Sequence, residues 1–176
     1  PTNDNILQVM PGNIPLEKTL GKFLAEKNYK NSVVVYTQHD TMIRFKDALL
    51  EGYGGSMKEF AVGQADTDYR TLVSKIALEK PDLIVLLAFP QQGAQIISEY
   101  KKQNGFVLPQ LAFDANAQSG FSDYVRILGS GDVLNGSIIA TIQQDLSKEF
   151  IDAYKARFGT EPGFFADLGY DGFNIL

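Results

Sequence analysis

Few residues in this chain have chemical reach. One histidine, His39, stands beside Asp40, and there is no cysteine. A cysteine nucleophile, a disulfide scaffold and a thiolate metal site are therefore excluded, and a lone histidine cannot build a multi-histidine zinc site. His39 and Asp40 are types that can form an acid–base couple, but that work needs a reacting partner no motif supplies. The plainer reading is that Asp40 caps a helix beginning at Thr41, and that His39 lines a crevice or faces solvent. No G-x-S-x-G elbow occurs, and Gly129-Ser130-Gly131 lacks its spacing. Neither G-x-G-x-x-G nor G-x-x-x-x-G-K-S/T follows a strand-like run. The group Gly52-Tyr53-Gly54-Gly55 follows a helical one and reads as its stop. No catalytic residue, metal or cofactor is expected.

The elements that would position a site alternate between two periods. Leu16, Leu20, Phe23 and Leu24 mark one face of a first helix, with Pro15 in its opening turn. Residues 33–38 (VVVYTQ) read as a strand. Met42, Phe45, Leu49 and Tyr53 then return to the helical period, and 58–63 (KEFAVG) reads as a second strand. Asp66-Thr67-Asp68 resembles a cap before a helix bearing Tyr69, Leu72, Val73 and Ile76. Residues 83–89 are apolar on both faces, as in the middle of a parallel sheet. Further helices are expected over 91–103, 121–128, 147–158 and 164–176, and further strands over 110–115 and 136–143. The order is α-β five times, then two helices without a strand. It predicts a doubly wound α/β lobe whose five-stranded parallel sheet runs 2-1-3-4-5.

In such a sheet, ligands bind beyond the carboxyl ends of the strands. Those ends carry His39, Thr41, Phe89, Gln91, Asp114 and Asn116. An aromatic surface beside amides and a carboxylate suits recognition of a small molecule with polar and apolar parts. A phospho-receiver would need an aspartate after the third strand, where Phe89-Pro90-Gln91-Gln92 stands instead.

Composition fits this picture. The chain has 176 residues, 44% of them hydrophobic and 21% charged, which excludes a disordered tail, a collagen and a coiled coil. Its apolar run over 83–90 falls far short of the ~20 residues of a membrane span. Its net charge of −5 is spread without a basic stripe, so no nucleic-acid partner is expected.

Four stretches resemble the type I periplasmic solute-binding proteins, the branched-chain amino acid receptor family. They are 30–38 (KNSVVVYTQ), Thr67-Asp68-Tyr69 with 72–85 through Pro81-Asp82, 150–162 (FIDAYKARFGTEP) and 166–171 (ADLGYD). The resemblance implies one lobe of a two-lobed receptor that closes on its solute by a hinge. Residues 6–143 would be the second lobe. Residues 144–176 would be two helices that pack on a first lobe missing from this chain. It further implies an extracytoplasmic location, an amino-acid-like or related carboxylate or amide solute, and membrane transporter subunits of the ABC class as partners. The family's second-lobe contacts fall at Thr41, Phe89 and Asp114, the last where an acid can meet a ligand amino group. Thr41 and the neighbouring Met42 depart from the family's aromatic and glycine, which leaves a leucine-type specificity open. Self-association through 147–176 is expected while the two helices lack their sheet. Two other readings stand beside this one. The first is a sensory ligand domain of a regulator or receptor with the same fold. The second is a small flavodoxin-like enzyme using His39 and Asp40.

Overall fold

The computed structural model describes residues 12–114, 117, 120–141, 146–163 and 166–169. The alternating periods become alternating elements: α1 (Asn13–Glu26), β1 (Ser32–Thr37), α2 (Asp40–Tyr53), β2 (Lys58–Val62), α3 (Arg70–Leu78), β3 (Leu83–Leu87), α4 (Pro90–Gln103), β4 (Gln110–Phe113), α5 (Phe121–Leu128), a 3-10 turn (Gly131–Leu134), β5 (Ile138–Ile139) and α6 (Lys148–Phe158). All strand pairs are parallel, and the sheet order is β2-β1-β3-β4-β5, as expected from the sequence. Asn13–Thr141 form one compact unit; Pro1–Gly12 and Ile142–Leu176 form another.

Strand alternation divides the core of the first unit. Val33, Val35, Ile84, Leu86, Leu111 and Phe113 face α3, α4 and α5. Val34, Leu83, Val85, Leu87 and Ala112 face α1 and α2. Every residue of β3 is buried, and each such side chain contributes about 1.5–3 kcal/mol relative to exposure. This is why the run over 83–87 shows no polar alternation. At the amino end of the sheet, Asp82 accepts the N–H groups of Lys30 (2.8 Å) and Asn31 (2.9 Å). Burial would raise its carboxyl, but the donated N–H groups outweigh burial and hold it below the ordinary range.

Three local expectations are corrected. The inward face of α1 is Glu17, Leu20, Gly21 and Leu24, while Phe23 is 41% exposed under the Lys27 ammonium. Gly21 sets this rotation. A Cβ there would stand 2.2 Å from the Leu49 carbonyl oxygen, so the helices touch backbone to backbone at that point. Second, α2 is capped by His39, not Asp40: its Nδ1 accepts the Thr41 N–H at 3.3 Å. Asp66 closes the turn after β2 by accepting the Gly63 N–H (2.7 Å), whereas Asp68, in the expected capping stretch, does accept the N–H of Arg70, the first residue of α3, at 3.1 Å. Third, of the strand expected over 136–143 the described part, 136–141, is paired only at Ile138–Ile139, and 142–143 lie outside the described residues. β4 ends at Phe113 and offers β5 no longer partner, apart from one further bond from the Ala140 N–H to the Phe113 carbonyl. The helix stops hold as read: Gly54, Gly129 and Gly159 close α2, α5 and α6 with positive φ.

Candidate functional site

The carboxyl ends of β1, β2 and β3 are tied by a lattice of amides. Thr37, the last residue of β1, is fully buried, and its hydroxyl donates to Gln92 Oε1 at 2.8 Å. Gln92 Nε2 donates onward to the carbonyl of Gly63, at 3.0 Å, beyond the end of β2. Gln64 Nε2 reaches back to the carbonyl of Gln38 at 2.9 Å. Each buried polar group in this chain of contacts is satisfied, so the rim is held in one arrangement.

Above this lattice stand His39 and Phe89. Their rings meet edge to face, with centroids 5.6 Å apart. His39 is held through Nδ1 by its cap to the Thr41 N–H. Phe89 is 37% exposed and introduces α4, whose first residue is Pro90. Beside Phe89 lies a depression of about 270 Å³, lined by Gln64, Asp66, Thr67, Gln91, Gln92 and Gln95 among others. Gln91 and Thr41 are exposed at the rim. The structure thus brings His39, Thr41, Phe89 and Gln91 to one edge. Asn116 lies outside the described residues.

Asp114 has a different setting. It follows β4, and continued alternation from Ala112 turns it to the α1 side of the sheet. It is only 2% exposed and lines neither the depression beside Phe89 nor the one along α1 and β5. Glu17, in the second turn of α1, is 0% exposed, and neither carboxyl oxygen has a hydrogen-bond partner. Burial first, and the Asp114 charge second, push the Glu17 carboxyl up to about 8. Burial, again with Asp114 as the lesser cause, also raises the phenol of Tyr124, which lies against Gly93.

The sequence reading missed the roles of Thr37 and Glu17, and it set Gln92 at the strand ends without its buried bridge from Thr37 to Gly63. Gln92 was legible only as one amide of a pair. Glu17 shares the i, i+3, i+7 spacing of Leu20 and Leu24, so the helical period did mark it; a glutamate is assigned to solvent by default. As for catalysis, Asp40 is exposed at the first turn of α2, and His39 spends Nδ1 on the backbone. The described residues give this pair no mutual contact of the kind an acid–base couple needs.

The comparisons with known proteins bear on the same fold. A family model described as periplasmic binding protein matches residues 1–176, the entire chain. The chain belongs to the periplasmic binding protein family. No curated protein matches it. Among solved structures, a chain from Rhodospirillum rubrum, provisionally described as a branched-chain amino acid ABC transporter, superposes with a TM-score of 0.77 at 17% identity. That match covers 95% of this chain and 49% of the other. A leucine binding protein from Thermotoga maritima gives 0.64 at 19% identity, covering 90% and 48%. An ABC transporter solute binding protein from R. palustris, in complex with benzoate, gives 0.65 at 17% identity, covering 98% and 48%. The resemblance read in the four sequence stretches is therefore borne out. The chain spans about half the length of these periplasmic binding proteins.

Proposed function

We propose that this chain is the second lobe of an extracytoplasmic solute receptor that hands a small molecule to an ABC-class transporter. The observation that carries this is the carboxyl edge. A satisfied amide lattice there lies beside His39 and Phe89, whose paired rings stand at a shallow depression of mixed polar and apolar lining. Such an edge recognises a solute without chemistry, in keeping with a family of binding receptors rather than enzymes.

The solute is an amino acid or a related carboxylate or amide. Phe89 and His39 would cover its apolar part, and Gln91 and Thr41 would meet its polar groups. Asp114, buried and outside the depression beside Phe89, would meet an amino group only if closure of the lobes uncovered it. Residues 144–176 would belong to the first lobe. The two lobes would close by a hinge, and the closed state would be favoured by the contacts only it makes.

In this reading a first lobe supplies the remaining contacts, so the 176-residue protein by itself should bind solute only weakly. The test is NMR of the 176-residue protein with leucine or benzoate at millimolar concentration. Small, saturable shifts confined to residues near His39, Phe89, Gln91 and Gln92 are expected. Shifts that fall elsewhere, or calorimetry giving micromolar affinity for either solute, would overturn the reading.

A further inference from the structure

The strand ends opposite the solute edge carry a feature the receptor reading does not use. In the Asn13–Thr141 unit the helices run back from the carboxyl ends of the parallel strands, so α3 and α4 both finish at the amino ends. They finish side by side. The Ser74 hydroxyl donates to Gln103 Oε1 at 2.9 Å, and Gln103 Nε2 donates to the Arg70 carbonyl at 3.1 Å. Leu78 lies about one turn beyond Ser74, and Phe106 and Val107 follow soon after Gln103. These three are 80%, 71% and 72% exposed, the highest values among the large hydrophobic side chains described.

Phe106 holds its place at a cost. Its φ is 67°, in the left-handed region that a bulky residue avoids and glycine enters freely. Its ring stands open to solvent, with the Lys101 ammonium 5.4 Å from the ring centre. A residue serving the turn alone would be glycine.

Positive charge surrounds this tip. The chain has a net charge of −5 and its lysines are scattered in sequence, yet the fold gathers Lys75, Lys80 and Lys101 here. Among the described residues none of the three forms an ion pair, and the nearby acids are already engaged. Glu79 lies 3.8 Å from Lys58, Glu99 lies 4.0 Å from Lys102, and Asp82 accepts the N–H groups of Lys30 and Asn31. Lysines in a last helical turn also complement the helix dipole. That accounts for Lys75 and Lys101, but not for three exposed apolar side chains set among them.

We propose that the tip formed by the ends of α3 and α4 docks on an anionic lipid bilayer. The lysines meet headgroup phosphates, while Phe106, Val107 and Leu78 enter the boundary of the acyl chains. A peptide partner would need a groove for its anchors. The three apolar side chains instead project from two adjacent turns, and none lines the depression beside Phe89, the one along α1 and β5, or the one at Gln110 and Gly136. Projecting apolar groups in a ring of flexible cations fit a surface that yields to them.

The experiment is flotation of the 176-residue protein with lipid vesicles. One set is phosphatidylcholine alone, and the other carries about 30% phosphatidylglycerol. Binding is expected to the anionic vesicles only, and it should fall about tenfold or more between about 0.05 M and about 0.5 M salt. Lys80→Gln combined with Lys101→Gln should weaken it by about tenfold or more. Phe106→Gly is the decisive variant. It should weaken vesicle binding by about fivefold or more while the urea midpoint stays level or rises, because glycine is at ease at this φ. A Phe106 that merely supports the fold would show the reverse. Phe158→Gln, on α6, should leave vesicle binding as it was. Equal binding to both vesicle types, binding to neither, or a loss in Phe158→Gln without one in Phe106→Gly would overturn the proposal. Capture by polyglutamate without binding to vesicles would also overturn it, and would make the tip a site for an acidic polypeptide. None of these outcomes bears on the solute edge, which lies at the other strand ends.

Discussion

Glu17 makes the strongest single-residue prediction. The folded chain holds its proton up to about pH 8, whereas an unhindered glutamate releases it near 4.5. A carboxyl raised in the folded state stabilises the fold fully below its unfolded value and loses that contribution as pH climbs through the folded one. Stability should therefore fall between about pH 5 and pH 8, by on the order of 3 kcal/mol. The carboxyls held low, Asp68 and Asp82, titrate below this window and do not mask it. Glu17→Gln should flatten the decline, read as urea midpoints at pH 5, 6.5 and 8. An equal decline in the variant would show that the slope arises elsewhere. Gln92 gives a second prediction, independent of pH. Gln92→Ala strands the buried Thr37 hydroxyl and should cost about 1–3 kcal/mol by thermal or urea unfolding. In both cases the sequence hid the role for the same reason. Hydrogen-bond partners 55 residues apart, such as Thr37 and Gln92, leave no local period to read.

At the scale of elements, the tightest joint is α1 on α2. A Cβ on Gly52 would lie 2.1 Å from the Lys18 carbonyl oxygen, and the obstacle is backbone that cannot swing aside. Gly52→Ala should therefore destabilise by about 1–3 kcal/mol or prevent folding. Gly163→Ala, with nothing within 4 Å, should change stability by less than ~0.5 kcal/mol. A neutral Gly52→Ala in urea titration would mean that the helices can part without cost. The sequence placed these elements well wherever a strong period met a clear stop. β3 was legible as an unbroken apolar run, and α2 from its three apolar turns and the glycines after it. Rotation and length were not legible. The orientation of α1 follows from Gly21 meeting α2, and the brevity of β5 from where β4 ends. Both are facts about a partner element.

At the scale of the whole molecule, α6 sets the question. Phe150, Tyr154 and Phe158 recur along one face, with ring centroids 6.0 Å and 4.6 Å apart. None of the helix's residues is buried, and Phe158 is 57% exposed. The helix is otherwise well made. Ser147 caps it by accepting the Phe150 N–H, Lys155 and Arg157 lie in its last turn, and Gly159 closes it. Local propensity thus supports the helix, and its aromatic face is only partly covered, Phe158 being the most exposed. An aromatic stripe in water favours any surface that covers it, by roughly 25 cal/mol for each Å² removed. In the full-length receptor proposed above, that surface would be the first lobe. In the 176-residue chain, the stripe should drive association between copies or hold the helix down on its own chain. Light scattering at tens of micromolar should give a mass above the monomer, returning to the monomer when Tyr154 and Phe158 are both replaced by Lys. If the mass is monomeric from the start, hydrogen exchange over 148–158 should be slow. A monomer whose amides exchange rapidly throughout that helix would contradict both outcomes, and would show that the stripe is tolerated in water without a partner.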